Sequence, residues 1–323
     1  MKRLAVLTSG GDAPGMNAAI RAVVRTGVSF GFEVLGVKHG YSGLIAGEFK
    51  QLGPRDVGGI IERGGTVLGT SRCPAFLTDT GQLTAVQQLR DRDVSGLIVI
   101  GGNGSQAGAH ALSRRGVAVV GIASTIDNDL PGSDVTLGAS SALDVALEAI
   151  DRLRTTASAH GRVFLVELMG RECGYLALLA GITGGAEAIV IPEFSQHPED
   201  IATCIREAYA RGKSHAIVVV AEGAERNADA LSHYFTEHAA RLGFELRITK
   251  LGHIQRGGTP GAFDRLSATL LGAAAVEHVQ AARHGVLLGI VAGQVTATEL
   301  SNVIGCSKPL DSRLIHLARL LTE

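Results

Sequence analysis

Short runs of Val, Ile and Leu alternate with longer amphipathic segments along this chain of 323 residues. Runs such as 97–100 and 216–221 are apolar throughout, which is typical of strands buried on both faces of a parallel sheet. The longer segments have helical spacing and would cover those faces. The sequence therefore predicts an α/β fold with doubly wound, mainly parallel sheets. The expected strands are 4–7, 33–37, 97–100, 117–122, 163–168, 188–191, 216–221 and 246–249, and the expected helices are 18–28, 106–115, 142–153, 200–210, 228–242 and 267–282.

Composition and charge exclude several classes of protein. A balance of 30 basic against 31 acidic residues gives a net charge of −1, which offers no electrostatic support for nucleic-acid binding. No apolar run reaches the ~18 residues of a membrane span, and the N-terminal apolar stretch breaks at Gly10-Gly11, too early for a signal peptide. The 4 cysteines form no CxxC pair. We expect a soluble, cytoplasmic protein that binds neither nucleic acid nor membrane.

The chain is long enough for two domains, because one ordinary domain has about 100–200 residues. The helical segment 140–156 could carry the chain into a second domain, and the glycine-rich turn after His253 could return it to the first. We expect a first domain of residues 1–138 plus about 255–305, and a second of residues 139–254 plus about 306–323.

Two glycine-rich turns each join a predicted strand to a predicted helix. The first begins at Gly10-Gly11 and the second is Gly101-Gly102-Asn103-Gly104. Free backbone N–H groups at such turns and helix starts bind anions. Each turn alone is equally consistent with an ordinary tight connection, and the partial dinucleotide pattern at 102–107 is weak. No GxxxxGK[ST] motif occurs, so a P-loop is excluded. Two such turns together favour a phosphate ligand.

Charged residues also follow three predicted strands. Asp127 and Asp129 come directly after one strand and could supply a base and a metal partner, although Asp-Asn-Asp before Pro-Gly also fits a turn. Arg171 and Arg256 each lie beside glycine, where a guanidinium can reach a phosphorylated ligand. As isolated features, these motifs are equally consistent with loops.

Six motifs occur together and in a fixed order: GGDAPGMNAAIR at 10–21, RGGTVLGTSR at 63–72, GGNGS at 101–105, STIDND at 124–129, MGR at 169–171 and GHIQRGG at 252–258. The set resembles the bacterial-type ATP-dependent 6-phosphofructokinase family over almost the whole chain. MGR and GHIQRGG are specific to that family. The resemblance implies two similar α/β domains, the first binding the nucleotide and the second the sugar phosphate, with the active site in the cleft between them. It also implies a homotetramer, and a glycolytic kinase that transfers the γ-phosphate of ATP, with Mg²⁺, to the C1 hydroxyl of fructose 6-phosphate.

The resemblance also assigns roles to residues. Asp127 would be the base, with Thr125 and Arg171 near the transferring phosphoryl group. The ATP site would contain Gly11, Tyr41, Arg72, Cys73, Gly102, Asn103, Gly104, Ser105 and Gly108, with Asn103 also facing the metal. The sugar phosphate would meet Thr125, Asp127, Arg162, Met169, Gly170, Arg171, Glu222, Arg247, His253 and Arg256, of which Arg162 and Arg247 would reach a neighbouring subunit's site. A site for the effectors ADP and phosphoenolpyruvate would contain Arg21, Arg25, Arg55, Arg154, Glu187, Arg211, Lys213 and His215, with Pro54 in place of the usual arginine.

Departures from the family pattern keep three functions open. Asn103 replaces an aspartate that helps to hold Mg²⁺, so we expect weaker metal binding unless another carboxylate, such as Asp129, supplies the missing charge. Gly104 matches ATP-dependent members, whereas Ser124 matches neither the glycine of ATP users nor the lysine of pyrophosphate users. The alternatives to an ATP-dependent kinase are a pyrophosphate-dependent relative and a catalytically weak regulatory protein that binds sugar phosphate or nucleotide.

Overall fold

The computed structural model describes residues 2–322, which divide into two compact units. Within this range the first unit contains the chain up to Ser141 together with Arg256–Lys308. The second contains Ala142–Gln255 together with the chain from Pro309 onward. The ligand expected for each domain stays a prediction.

The described residues form strands and helices in near alternation. The strands are β1 (Arg3–Ser9), β2 (Glu33–Val37), β3 (Phe49–Leu52), β4 (Val94–Gly101), β5 (Val119–Thr125), β6 (Leu137–Gly138), β7 (Val163–Leu168), β8 (Ala188–Val190), β9 (Ala216–Ala221), β10 (Leu246–Lys250), β11 (Val286–Val291) and β12 (Gln294–Glu299). The α-helices are α1 (Met16–Ser29), α2 (Gly40–Ala46), α3 (Asp79–Arg90), α4 (Asn103–Ser113), α5 (Ala139–His160), α6 (Tyr175–Thr183), α7 (Pro198–Ala210), α8 (Ala228–Glu237), α9 (Ala239–Leu242), α10 (Ala262–Gln280), α11 (Leu300–Val303) and α12 (Ser312–Thr322). Short 3₁₀ turns occur at Pro74–Leu77 and Gly252–Gln255.

The first unit is built on an eight-stranded sheet in the order β12-β11-β5-β4-β1-β2-β3, with β6 beside β5. All neighbouring strands are parallel except in the two edge hairpins, β2–β3 and β11–β12. The centre of the sheet is apolar and buried, as β1 and β4 illustrate, because helices cover both faces. On one face α1 packs against α10 so closely that a Cβ at Gly272 would lie 2.7 Å from the carbonyl oxygen of Ala19.

The second unit is built on a four-stranded parallel sheet in the order β10-β7-β9-β8. Its central strand β9 is buried at every position. Separate apolar clusters cover the two faces of this sheet, one around Val166 and Val219 and the other around Leu165 and Val218. The α/β class with mainly parallel sheets is therefore confirmed.

One expected helix is interrupted in the structure, and several elements were not predicted. The segment 228–242 forms two helices, α8 and α9, which are separated at His238. The imidazole of His238 contacts the carbonyl oxygen of Tyr234 at 2.9 Å and stacks on its ring, and the backbone of His238 leaves helical geometry. The sequence did not predict β3, β6, β11, β12, α2, α3, α6, α11 or α12.

Candidate active site

Three strand ends in the first unit meet at the point where the strand order reverses. The chain places β2 on one side of β1 and β4 on the other, and β5 follows beyond β4. In the sheet register Ser9 lies opposite Gly101, and Gly101 lies opposite Ala123. Open α/β sheets bind ligands beyond the carboxyl ends of the strands at such a reversal. The topology therefore places the first unit's candidate site here.

A cavity of about 550 Å³ opens at this position. It brings together eight of the nine residues expected to bind nucleotide, along with Thr125, Asp127 and Arg256. Asp129, expected as a metal partner, and Gly10 of the first glycine-rich turn also line it, and the remaining walls come from residues that the sequence analysis did not assign to a site. The lining residues are Ser9, Gly10, Gly11, Tyr41, Ser71, Arg72, Cys73, Pro74, Phe76, Leu77, Gly102, Asn103, Gly104, Ser105, Ser124, Thr125, Asp127, Asp129 and Arg256.

The glycine-rich turn after β4 brings the start of α4 to this cavity. A Cβ at Gly101 would lie 2.5 Å from both the carbonyl oxygen of Ser9 and the Oγ of Ser105, so only glycine fits between them. Gly102 precedes α4 without a capping side chain. No atom lies within 4 Å of a Cβ placed on Gly104. Since the first N–H groups of a helix have no intrahelical acceptor, this end of α4 suits an anion.

A buried glutamine fixes the strand ends behind that turn. The side-chain amide of Gln106 donates to the carbonyl oxygens of Gly101 at 2.9 Å and Ile122 at 3.2 Å, which joins β4 to β5. A Cβ at Gly121 would lie 2.1 Å from the Oε1 of Gln106, so glycine is required there as well. The sequence analysis missed this residue because an isolated glutamine carries no motif.

Two stacked aromatic rings form one wall of the cavity. The rings of Tyr41 and Phe76 lie 3.9 Å apart at 16°, and both residues are buried. The hydroxyl of Tyr41 donates to the carbonyl oxygen of Ser105 at 2.6 Å, and burial raises the pKa of that phenol far above its usual value. Gly108, the ninth expected nucleotide residue, lies behind this wall, where a Cβ would come within 2.7 Å of the Tyr41 ring. Gly108 therefore makes room for the tyrosine.

Arg256 lies against the first glycine-rich turn. Its guanidinium donates to the carbonyl oxygen of Asp12 at 3.0 Å, and a Cβ at Gly11 would lie 2.4 Å from its Nη1. Gly11 is therefore the residue that lets this cation approach the backbone. The turn lines the cavity through Ser9, Gly10 and Gly11, whereas α1 begins only at Met16. The contact of Arg256 with sugar phosphate stays a prediction.

The loop after β5 carries the two candidate acidic groups. The backbone N–H of Asp127 donates to the Oγ1 of Thr125 at 3.3 Å, and both Asp127 and Asp129 line the cavity. Between them Asn128 has a left-handed backbone with φ of 50°. The side-chain amide of Asn103 donates to the Oδ2 of Asp129 at 2.6 Å. The departure from the family pattern at position 103 is thus a hydrogen-bonded amide–carboxylate pair.

The side chains of this cavity could hold a metal ion only if water or substrate phosphates supplied further ligands. Among residues 2–322, no group of three or more His, Cys, Asp or Glu side chains is arranged to hold a metal. One oxygen of Asp129 already accepts the Asn103 amide, although the Asn103 carbonyl oxygen and Asp127 lie in the same cavity. Mg²⁺ in proteins often binds one or two carboxylates and completes its shell with water and substrate phosphates. The residues present fit that mode of binding.

The second unit presents the MGR segment and Glu222 at the ends of two adjacent strands. Met169–Arg171 follow β7 and Glu222 follows β9. The Nε of Arg171 lies 3.5 Å from the Oε1 of Glu222, and most of the Arg171 side chain is exposed. Gly170 has φ of 137°, and a Cβ there would lie 2.5 Å from the carbonyl oxygen of Cys173. His253 is exposed on the short turn after β10.

Arg162 and Arg247 share one carboxylate. Glu245 lies 3.0 Å from the Nε of Arg162 and 3.4 Å from the Nη2 of Arg247. All three side chains are solvent-accessible. The structure therefore brings together the two arginines expected to act on a neighbouring subunit, and both lie in the second unit.

The expected effector residues are divided between the two units. In the second unit Lys213 lies 2.7 Å from the buried carboxylate of Glu187, and both line a cavity of about 250 Å³ with Arg211. The guanidinium of Arg154 donates to the carbonyl oxygen of Gly184. His215 lies in the same unit, whereas Arg21, Arg25 and Arg55 lie in the first. An effector site composed of these residues stays a prediction.

No helix among the residues that the structure describes is long and apolar enough to cross a bilayer. The described part of the chain has an α/β fold. A cavity suited to phosphate lies where the strand order of the first unit reverses, and a pair of acidic side chains and guanidinium groups line it. This combination is typical of phosphoryl-transfer proteins. A family model described as Phosphofructokinase matches residues 3–279. The chain belongs to the phosphofructokinase family.

Individual relatives agree with the family assignment over the full length. ATP-dependent 6-phosphofructokinase 1 of Thermus thermophilus is 49% identical over 323 residues, with 99% of each chain covered. ATP-dependent 6-phosphofructokinase of Listeria monocytogenes serotype 4a is 45% identical, with 100% of each covered. A solved phosphofructokinase from Saccharomyces cerevisiae is 38% identical and superposes with a TM-score of 0.85 over 94% of this chain. This chain spans 44% of that yeast chain.

Proposed function

We propose that this chain is an ATP-dependent 6-phosphofructokinase, a kinase of glycolysis that converts fructose 6-phosphate and ATP into fructose 1,6-bisphosphate and ADP. The observation that carries the proposal is the cavity at the point where the strand order of the first unit reverses. In this cavity the start of α4, two glycine-rich turns and the carboxylate of Asp127 face the same space. The relatives named ATP-dependent 6-phosphofructokinase, which match over the full length, support the choice of reaction.

The nucleotide is assigned to the first unit. Its phosphates would approach Gly11 and the start of α4, where backbone N–H groups and Arg72 balance their charge. The stacked pair of Tyr41 and Phe76 offers an apolar wall to the rest of the nucleotide. Gly104 leaves the space above α4 open, which favours a large donor such as ATP over pyrophosphate.

The residues proposed to act on fructose 6-phosphate are chosen by their chemistry. In the first unit Asp127 would accept the proton of the C1 hydroxyl as that oxygen bonds to the γ-phosphorus and the bond from phosphorus to the ADP oxygen breaks. Thr125 and Arg256 would orient the reacting groups. In the second unit Arg162, Met169, Gly170, Arg171, Glu222, Arg247 and His253 would hold the sugar phosphate. Phosphoryl transfer relies mainly on positioning and charge neutralisation, which this set can supply.

Mg²⁺ would be held by Asp129 and by the carbonyl oxygen of Asn103, with the nucleotide phosphates completing its coordination. The ion would supply charge neutralisation of those phosphates. We further propose a cytoplasmic homotetramer regulated by ADP and phosphoenolpyruvate. The effector residues would be Arg21, Arg25, Arg55, Arg154, Glu187, Arg211, Lys213 and His215.

A coupled assay tests this function. Purified protein is given fructose 6-phosphate with either ATP or pyrophosphate, across a titration of Mg²⁺. We expect turnover with ATP and none above background with pyrophosphate. Turnover with pyrophosphate alone would assign the chain to the pyrophosphate-dependent relatives. Binding without turnover for either donor would indicate the regulatory binding protein.

A further inference from the structure

Lys308 lies under the loop that carries the two aspartates of the candidate active site. Its ammonium donates to the Oδ1 of Asn128 and to the carbonyl oxygens of Ser133 and Asp134, each at 2.8 Å. Its backbone N–H donates to the carbonyl oxygen of Asp129 at 2.9 Å. One residue, 180 positions further along the chain, thus contacts this loop at four points.

Asn128 is the residue through which Lys308 reaches the aspartates. It is buried and has φ of 50°, a conformation that few residues other than glycine adopt. Its Oδ1 accepts from the N–H of Thr136 at 3.0 Å as well as from Lys308, and its side-chain amide donates to the carbonyl oxygen of Asp134 at 3.1 Å. These bonds hold Asn128 in place, and its left-handed turn directs the neighbouring Asp127 and Asp129 to the same cavity.

The far end of the loop is fixed independently. Ser133 and Ile290 share a hydrogen bond of 3.1 Å, and Asp134 accepts the N–H of Ala292 at 2.7 Å. These contacts attach the loop to β11 and its end. Lys308 also bonds the carbonyl oxygens of Ser133 and Asp134 at this end, and it joins them to Asn128 and Asp129 at the end where the aspartates are. Removing its ammonium should therefore loosen the aspartates more than the attachment to β11.

We propose that Lys308 is a positioning residue for phosphoryl transfer, which holds Asn128 in its left-handed conformation and thereby aims Asp127 and Asp129 into the cavity. The proposal rests on the proposed kinase function for its kinetic consequences. Its structural consequence, the order of the loop 126–136, is independent of that function.

The kinetic test compares Lys308→Met, Lys308→Arg and Lys50→Met with the natural protein. Lys50 is a control because it pairs with Asp56 at 3.0 Å in an exposed part of the same unit. We expect Lys308→Met to lower kcat by roughly 10–100-fold, since small misplacements of reacting groups cost about this much. The KM values should stay within about threefold. Lys308→Arg should recover most of kcat.

Hydrogen–deuterium exchange of the peptide covering 126–136 tests the proposal without activity. We expect faster exchange in Lys308→Met than in Lys308→Arg or Lys50→Met. Lys308→Gln, which removes the charge but keeps an amide with two N–H donors, replaces the methionine variant if that variant does not fold. Unchanged exchange in this peptide, or a kcat of Lys308→Met equal to that of the natural protein, would overturn the proposal. Inactivity of the natural protein with both phosphoryl donors would instead defeat the kinase function and leave the exchange result to decide the role of Lys308.

Discussion

In the candidate active site, the side-chain amide of Asn103 donates a hydrogen bond to the carboxylate of Asp129. From the sequence alone, Asn103 predicts weaker metal binding unless Asp129 supplies the missing charge, so Asn103→Asp would be expected to strengthen metal binding. The bond of 2.6 Å shows that the substitution would instead place two carboxylates against each other. A pair of unit charges at about 4 Å interacts by roughly 1–4 kcal/mol at effective dielectric constants of 80 to 20. The effect of the new carboxylate should therefore depend on whether a cation is present.

We expect Asn103→Asp to lower Tm by a few degrees in EDTA and to regain most of that loss in millimolar Mg²⁺. The natural protein should respond much less to the metal because its amide satisfies Asp129. Thermal unfolding of both proteins with and without Mg²⁺ measures this difference. The double variant Asn103→Asp/Asp129→Asn, which exchanges the two groups, serves as a control and should behave like the natural protein. Identical Mg²⁺ responses in the natural protein and the single variant would refute the repulsion.

Asp127 offers a second test at the level of one side chain. Asp127→Asn keeps the size of the group and removes its ability to accept a proton, so kcat should fall by ~10²–10⁴-fold. Binding of fructose 6-phosphate, measured by calorimetry, should remain within a few-fold of the natural value. Asp144→Asn, an exposed aspartate of α5, is the matched control. Full activity of Asp127→Asn would remove Asp127 from the role of base.

Motifs identified most of the cavity because its residues follow strands in sequence. The turns at 10–11 and 101–105 and the aspartates after β5 converge because the strand ends are neighbours in the sheet. Phe76, Gln106 and Lys308 could not be found in this way. Each acts through a contact made across the fold, such as the bond of Lys308 to Asn128, and no local pattern marks such a contact.

At the scale of elements, Asp264 joins the start of α10 to the start of α5. It is fully buried, and its carboxylate accepts from the backbone N–H groups of Gly138 at 2.9 Å and Ser141 at 2.8 Å, and from the Ser141 hydroxyl at 2.5 Å. An amide at this position would turn an N–H group toward donors. We expect Asp264→Asn to lower the free energy of unfolding by about 2–4 kcal/mol, because bonds to a charged acceptor are lost in a buried setting. Urea denaturation checks this, and Asp144→Asn should leave the midpoint unchanged.

The elements that the sequence predicted best are those buried on both faces. Strands β2, β7 and β9 have the expected bounds because they contain little besides apolar residues. The edge strands β3 and β12 mix charged and apolar side chains, since one side faces solvent, and their pattern resembles a loop. β11, with the sequence VLLGIV, is almost entirely apolar and could have been predicted, but the sequence analysis did not include it. The break at His238 depends on a local side-chain bond, which apolar spacing does not report.

At the scale of the whole molecule, Arg162 and Arg247 should link catalysis to assembly. Each of Arg162→Ser and Arg247→Ser is expected to raise the KM for fructose 6-phosphate more than that for ATP, because a charge-assisted contact is worth about 1.5–3 kcal/mol. Steady-state kinetics with each substrate varied in turn measures the split. Equal effects on both substrates would show that these arginines do not bind the sugar phosphate.

Mixing two impaired variants, assayed at low fructose 6-phosphate, tests whether these arginines serve a neighbouring subunit. Asp127→Asn and Arg162→Ser are unfolded together and refolded as a mixture. If Asp127 and Arg162 of different subunits serve one site, some mixed sites contain both natural residues and activity returns above the sum of the parents. Refolding each variant alone is the control. Activity no greater than that sum would place both residues in the same subunit's site.

The pairing of β5 with β11 has a consequence for the synthesis of this protein on the ribosome. Val120 lies beside Val286 in the finished sheet, yet β11 begins about 160 residues after β5 ends. At roughly 5–20 residues per second, the edge of β5 remains unpaired on the order of 10–30 s while residues 142–255 of the second unit are synthesised. During that time an apolar strand edge is open to foreign strands. We therefore expect nascent chains stalled before residue 286 to bind chaperones. Crosslinking of such stalled chains would detect this binding.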